Sequence, residues 1–238
     1  MKLATLRTAG GTRAVRVEGN EAVELDAADV GALLALEPDL ARVNAASGPR
    51  HALDLAALAP LVPRPAKIIC LGHNYLTHIR EMGAEPPEHP TLFAKFARAL
   101  IGARDPIVLP RASEQVDWEV ELAIVIGREV RHASADAARA AIAGYTILND
   151  VSVRDWQRRT KQWLQGKTFE ATTPVGPWLV TPDEVNDARD LVVRCEVDGR
   201  VMQEGRTSDL LFGPADCVAY VSTILTLEPG DLISTGTP

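Results

Sequence analysis

Apolar residues along the chain alternate with polar ones or form short blocks, and this pattern predicts a fold made mostly of strands with short helices between them. Asp198-Gly199 lies between two such blocks and is a strong signal for a tight hairpin. The predicted strands are residues 3–8, 14–18, 67–71, 107–109, 118–126, 145–150, 191–197 and 200–204.

Helices are predicted where a capping residue precedes apolar residues at helical spacing. Asp26 and Ser134 are candidate N-caps, and Gly144 is the expected end of the helix that Ser134 begins. The sequence Ser152-Val153-Arg154-Asp155 has the spacing of a capping box, so a helix is expected directly after Asp150. Including the two helices that Asp26 and Ser134 begin, the further predicted helices cover residues 27–36, 74–82, 134–143 and 214–226.

Three prolines between residues 58 and 65 predict a linker, which divides the chain into a small N-terminal domain of residues 1–62 and a larger domain of residues 63–238. Strands and helices do not alternate regularly, so the fold class is α+β with mostly β structure rather than a doubly wound sheet. Residues 71–74 contain one glycine, which argues against a phosphate-binding loop after the first strand of the larger domain.

Composition narrows the functional classes. The 238 residues are 46% hydrophobic and 24% charged, as in ordinary soluble proteins, and a net charge of −7 argues against a nucleic-acid surface. No segment approaches the ~20 apolar residues of a membrane span, and the first residues lack the apolar stretch of a signal peptide. The three cysteines lack metal-type spacing. We therefore expect a cytoplasmic protein with reduced thiols and neither a nucleic-acid nor a membrane partner.

Three carboxylates form the most informative group in the chain. Glu119 and Glu121 are two residues apart in a predicted strand and so share one face, and Asp150 ends the next apolar strand. Neighbouring carboxylates repel one another unless a cation or water compensates their charge. Oxygen ligands favour a hard divalent ion, so we predict a site for Mg²⁺ or Mn²⁺, with ordinary solvated acidic residues as the alternative.

Two further groups are candidates for chemistry. His78 and Glu81 are three residues apart, so on a helix the carboxylate can orient the imidazole as a general base; a solvated surface pair is the alternative. Arg154 and Gln157 share one side of the helix expected after Asp150 and can form an anion cradle. A structural arginine that satisfies nearby carboxylates is the other reading of Arg154.

Taken together, the motifs resemble the fumarylacetoacetate hydrolase family from about Lys67 to the last residue. Residues 1–60 also look like the small cap domain of the longer bacterial members of that family. The motifs are Gly72-His73-Asn74-Tyr75 with His78-x-x-Glu81, Asp117-Trp118-Glu119-Val120-Glu121-Leu122-Ala123, Asn149-Asp150-Val151-Ser152-Val153-Arg154-Asp155-x-Gln157, Gly166-Lys167-Thr168-Phe169-Glu170 and Thr235-Gly236-Thr237-Pro238.

The resemblance implies a mixed β-sandwich roll, a homodimer and a role for each motif residue. The implied metal ligands are Glu119, Glu121 and Asp150, with Lys167 beside the ion; the implied substrate contacts are Arg154, Gln157 and Thr237; and the implied water-activating pair on a lid helix is His78 with Glu81. Family chains continue past the last motif, so C-terminal strands are expected to be missing here. His73 and Phe96 depart from residues common in the family, which affects substrate selection.

The resemblance also implies an activity. The expected reaction is hydrolysis of a C–C bond in a small 2,4-dioxo acid of the acylpyruvate type, through an enolate stabilised by the metal. Decarboxylation of oxaloacetate, or isomerisation of a 2-hydroxyhepta-2,4-diene-1,7-dioate-type compound, uses the same site and stays open. A protein of another class, which binds a metal and a ligand without catalysis, has no need for Lys167, His78 and Glu81 together.

Overall fold

A large mixed sheet is the frame of the molecule in the computed structural model, which describes residues 1–238. The strands of the chain are β1 Lys2–Thr8, β2 Gly11–Glu18, β3 Glu21–Glu24, β4 Arg50–Ala52, β5 Ile68–Gly72, β6 Thr91–Ala94, β7 Leu100–Gly102, β8 Val116–Asp117, β9 Val120–Ile126, β10 Ile142–Asn149, β11 Ser152–Val153, β12 Thr173–Val180, β13 Val192–Val197, β14 Arg200–Arg206 and β15 Leu232–Ser234.

Eleven of these strands form the main sheet, in the order β4-β3-β2-β1-β12-β10-β9-β15-β5-β6, with β7 paired to β12. The β15–β5 and β12–β7 pairs are parallel, whereas the other pairs of this sheet are antiparallel. Two separate ladders, β8 with β11 and β13 with β14, complete the strands. A mostly β fold with short helices is therefore confirmed.

Seven short helices lie between the strands. Asp29 caps the first of them through the N–H of Ala32, and Ser134 caps the fourth through the N–H of Ala137. None of the helices is long and apolar enough to cross a bilayer. The helices are α1 Val30–Leu36, α2 Leu40–Ala45, α3 Leu76–Glu81, α4 Ala135–Ala141, α5 Arg154–Gln157, α6 Leu164–Lys167 and α7 Pro214–Ile224.

Several local predictions are wrong. The N-cap of α1 is Asp29 and not Asp26, because the helix begins only at Val30. Residues 107–109 form no strand, and Leu109 is 66% exposed. Gly144 lies inside β10 instead of ending a helix. The close approach of β12 requires glycine there, since a Cβ would lie 2.4 Å from the carbonyl oxygen of Val180. Ser152 pairs with Asp117 on β8, so the expected helix begins only at Arg154.

The sheet is buried on both faces. Ala123 and Val125 of β9 belong to one apolar cluster, and Leu122 and Ile124 belong to another. Because side chains alternate along a strand, Glu121 lies on the same face as Ala123, beside the larger cluster. Two apolar layers thus enclose the strand that carries the acidic motif.

The N-terminal strands extend one edge of the same sheet. β1 pairs with β12 through Lys2 and Leu3, and β2, β3 and β4 follow outward. Residues after β4 lead back toward the larger predicted domain. Just before its predicted start, the carbonyl oxygen of Leu61 accepts a hydrogen bond from the Thr5 hydroxyl of β1 at 2.6 Å. The boundary between residues 62 and 63 stays a prediction.

Candidate functional site

Pairing between β9 and β10 brings the three predicted metal ligands together. Leu148 pairs with Glu121, and the N–H of Asp150 donates to the carbonyl oxygen of Glu119 at 2.8 Å. One carboxylate oxygen from each acidic residue lies within 4.8 Å of the others. Glu119, Glu121 and Asp150 are 7%, 1% and 0% exposed, so water cannot compensate their charges as it does on a surface.

Glu121 has one satisfied and one unsatisfied oxygen. Its Oε2 accepts hydrogen bonds from the Ser234 hydroxyl at 2.6 Å and the Gly236 N–H at 2.8 Å. Its Oε1 is buried and has no hydrogen-bond partner. Burial, followed by the charges of Asp150 and Glu119, raises the pKa of the Glu121 carboxyl well above its usual range. An orphaned carboxylate oxygen of this kind is suited to a cation.

Two buried lysines balance part of the acidic charge. Lys167 donates to Glu119 at 2.6 Å and to Asp150 at 2.8 Å, and Lys95 donates to the other oxygen of Asp150 at 2.6 Å. Burial opposes ionisation of Asp150, yet Lys95 and Lys167 hold its pKa below its ordinary value. Burial likewise opposes the charge of Lys167, but Asp150 and Glu119 raise its pKa. Lys167 therefore stays positive.

The residues present fit a hard divalent ion. Every candidate ligand atom is a carboxylate oxygen, which suits Mg²⁺ or Mn²⁺. Each carboxylate oxygen can accept more than one interaction, so the bonds from Lys95 and Lys167 leave Glu119 and Asp150 able to act as ligands. The lysines pair with Glu119 and Asp150 but not with Glu121, so Glu121 is the carboxylate whose charge a divalent cation would compensate.

A pocket of about 750 Å³ opens onto the acidic group. Most of the site residues expected from the sequence line this pocket; Asp150 is buried behind the wall, and Glu81 is not part of the lining. The expected residues that do line it are Glu119, Glu121, Lys167, Arg154, Gln157, Thr237 and His78.

His78 and Glu81 are near each other but do not form a hydrogen bond. The His78 Nδ1 atom lies 4.0 Å from a carboxylate oxygen of Glu81, and the two side chains are 33% and 70% exposed. Both residues are on α3, whose third and sixth positions they occupy. His78 therefore reaches the pocket, while its expected partner faces solvent.

Arg154 is already engaged by carboxylates. Its guanidinium donates to Asp117 at 2.9 Å, to Glu119, and to the side-chain oxygen of Gln157 at 2.9 Å. These contacts match the structural reading of this arginine and leave fewer free donors for a substrate anion. Thr237 donates to the Val120 carbonyl oxygen at 3.0 Å, which places it beside the start of β9.

An aromatic wall closes one side of the pocket. The Trp163 ring packs against Phe93 and His73, with ring centroids 5.5 and 5.4 Å apart. A Cβ on Gly72 would lie 2.3 Å from the Trp163 ring, so glycine is required for this packing. His73 has a φ of 55°, and burial followed by the nearby His78 lowers its pKa.

Three further residues contribute to the site and were not predicted from the sequence. Lys95 is fully buried against Asp150, Gln203 donates to the Thr237 hydroxyl at 2.9 Å, and Trp163 forms the aromatic wall. Of the three, only Lys95 could have been found from the sequence pattern. It directly follows an apolar strand, as Asp150 does, and the end of such a strand is a position where a site residue is expected. Gln203 and Trp163 reach the pocket from distant parts of the chain.

Comparisons with known proteins identify the family of the chain. The family described as fumarylacetoacetate hydrolase, C-terminal, matches residues 67–238. A human mitochondrial oxaloacetate tautomerase is 48% identical over 187 residues, which cover 78% of this chain and 59% of the human protein. The chain thus spans about three fifths of the length of such curated relatives.

Solved structures extend the likeness to the whole chain. A 5-carboxymethyl-2-hydroxymuconate delta-isomerase from Mycobacterium smegmatis superposes with a TM-score of 0.82 at 37% identity, covering 100% of this chain and 88% of the other. A 2-hydroxyhepta-2,4-diene-1,7-dioate isomerase from Mycobacterium marinum gives a TM-score of 0.77 at 34% identity, with 100% and 87% covered. The roll expected from the motifs is confirmed.

Proposed function

The chain belongs to the fumarylacetoacetate hydrolase family, and from this membership we propose a divalent-metal-dependent enzyme that moves a proton beside the keto group of a small 2-oxo acid, with oxaloacetate as the leading substrate. Relatives named oxaloacetate tautomerase and dienedioate isomerase support it, since both names describe reactions that shift a double bond by moving a proton. The partner is thus a small anionic metabolite. The cytoplasmic location stays a prediction, and the named tautomerase is mitochondrial.

The observation that carries the proposal is the unpartnered Oε1 of Glu121 in a wall of the pocket. A buried carboxylate oxygen without a partner costs stability, of order several kcal/mol per uncompensated charge, unless a cation compensates it. Mg²⁺ or Mn²⁺, held by Glu119, Glu121 and Asp150, would supply a Lewis acid that withdraws charge from the keto oxygen.

The chain's own residues supply the remaining functions. Lys167 is 2% exposed and positively charged, so it stabilises negative charge that develops on a substrate oxygen nearby. His78 lines the same pocket and, as a base, accepts the proton that leaves the carbon beside the keto group. Gln157 offers its side-chain N–H groups to the substrate carboxylate, since only its oxygen is engaged by Arg154. Thr237 stays a predicted contact beside them, because its hydroxyl already donates to Val120.

Hydrolysis of a C–C bond in a 2,4-dioxo acid is the second candidate. It is favoured by the partly exposed His78, which has Glu81 4.0 Å away and can deprotonate water at the mouth of the pocket. Attack of that water on the distal carbonyl would release a carboxylic acid and a 2-oxo acid such as pyruvate. A non-catalytic binding protein fits less well, because Lys167 and His78 both face the pocket.

One assay series separates these reactions. Chelator-treated protein, resupplied with Mg²⁺ or Mn²⁺, is expected to speed the loss of the ultraviolet absorbance of enol-oxaloacetate above the buffer rate. Acetylpyruvate cleavage and pyruvate release from oxaloacetate are measured in parallel. Metal-dependent cleavage without tautomerisation would favour the second candidate, and no metal-dependent turnover in any assay would contradict both. Glu129→Gln, a change at an exposed residue that does not line the pocket, is the control and should keep full activity.

We also propose that the protein is a homodimer. Exposed apolar residues support this, since Ile107, Leu109 and Val197 line a shallow hollow and are 37%, 66% and 37% exposed. Light scattering is expected to give twice the 25.6 kDa mass of one chain at micromolar concentration. Leu109→Asp should shift the mass toward one chain, while Ile224→Asp on α7 should not. A wild-type mass of one chain would contradict the proposal.

A further inference from the structure

Two positive side chains line the pocket without a carboxylate partner. Arg158 and Lys161 both belong to the lining, and neither forms a salt bridge. The other pocket cations are engaged, because Lys167 is bonded to Glu119 and Arg154 is bonded to Asp117. Unpaired positive charge in a cleft raises the local concentration of anions and offers donors to them.

The segment that carries these side chains is held against the pocket. The N–H of Arg158 donates to the Arg154 carbonyl oxygen at 3.1 Å, which ends α5, and the Thr160 hydroxyl accepts the N–H of Gln162 at 3.2 Å. Trp163 then anchors the chain in the aromatic wall. Arg158 and Lys161 therefore lie on a folded segment with two fixed ends.

Arg159, the neighbour of Arg158, does not line the pocket. Arg159 lies over the Trp156 ring at 3.6 Å and is 3.9 Å from Asp155, and it does not line the pocket. Two consecutive arginines thus have different surroundings: Arg159 is packed and paired outside the pocket, whereas Arg158 is unpaired within its lining. Substitution of Arg159 is therefore a control for substitution of Arg158, its neighbour in the chain.

We propose that Arg158 and Lys161 form a subsite for the second carboxylate of a 2-oxo dicarboxylate. The proposal rests on the proposed function for the other end of the substrate, which would meet the acidic group and Lys167 in the same pocket. A monocarboxylate with an uncharged tail leaves both cations unpaired and gains nothing from them. The substrate class is then the dianionic 2-oxo acids, and uncharged acyl chains are selected against.

The test compares oxaloacetate with 2-oxobutanoate, which has the same number of carbons and a methyl group in place of the second carboxylate. The R158M/K161M variant should raise the KM for oxaloacetate at least about tenfold, because hydrogen bonds between charged groups are among the stronger polar contacts. It should leave kcat within a few fold. The Ki of 2-oxobutanoate and the Kd of oxalate with Mn²⁺ should not change, since these anions do not reach the subsite.

Two controls complete the design. Arg159→Met should leave all four constants unchanged, and Lys161→Arg, which keeps the charge, should retain a KM near that of the wild type. An unchanged KM in R158M/K161M would overturn the subsite, and so would an equal weakening of oxalate binding, which indicates a structural role.

If wild-type protein does not turn over oxaloacetate, the proposed function fails separately. Calorimetry with Mn²⁺, comparing 2-oxoglutarate with 2-oxopentanoate, then tests the preference for dianions, and equal affinities would overturn it.

Discussion

Replacing Glu121 with glutamine will abolish metal-dependent turnover and weaken Mn²⁺ binding by more than about 100-fold, the upper range for loss of a residue that only supports a metal ligand. Glu121 supplies the buried oxygen that has no other partner. Wild-type protein should gain about 2.7 kcal/mol when free Mn²⁺ is a hundred times its Kd. For a chain of this length that gain corresponds to a rise in Tm of about 5–11 °C. E121Q should show almost none of this rise.

The metal-free E121Q variant distinguishes loss of a ligand from loss of the fold. Burial and the charges of Asp150 and Glu119 oppose the negative charge of Glu121, so its removal should leave the metal-free Tm unchanged or raise it. The amide oxygen can still accept the bonds from Ser234 and Gly236. Glu129→Gln is the matched control and should keep the full Mn²⁺ response. Full-strength Mn²⁺ binding by E121Q in calorimetry would show that the metal site has been placed wrongly.

The acidic group could be predicted because its signal is local. Glu119 directly precedes β9, which contains Glu121, and Asp150 directly follows β10, so pairing of these two neighbouring strands is enough to bring the carboxylates together. The alternation of side chains further places Glu121 on a buried face. The resemblance to a known family then assigned Lys167, whose position after a glycine gave no signal of its own.

The missed residues depend on contacts between distant segments. Lys95 and Asp150 are 55 positions apart, and Gln203 and Thr237 are 34 apart, so no spacing rule joins either pair. Gly144 shows the same limit, because a glycine after a helical pattern predicts a helix end, whereas here the close approach of β12 requires it. The sequence left Arg154 as either part of an anion cradle or a structural arginine. Its bonds to Asp117 and Glu119 depend on the folded structure, so the sequence alone could not decide between these roles.

Changing His78 to alanine should lower the rate of tautomerisation or hydrolysis by about 10²–10⁴-fold, the usual loss on removal of a positioned general base. The side chain lines the pocket but makes no bond to the acidic group or to Lys167. Mn²⁺ affinity and the Kd of oxalate should therefore change little. Release of pyruvate from oxaloacetate, which needs no base at this position, should survive better than the other two reactions.

Glu81→Gln is the companion variant that tests whether His78 acts with its neighbour. The carboxylate is 70% exposed and 4.0 Å from His78, so its loss should cost much less than the loss of His78 unless the pair closes when substrate binds. Comparable losses in both variants would indicate that α3 moves to form the bond during catalysis. Equal, severe loss of every activity in the His78 variant, with weakened oxalate binding, would place His78 in the binding site itself. Unchanged rates would mean that the pair is a solvated surface contact, and the base would have to be sought elsewhere in the pocket, where His73 is the other imidazole.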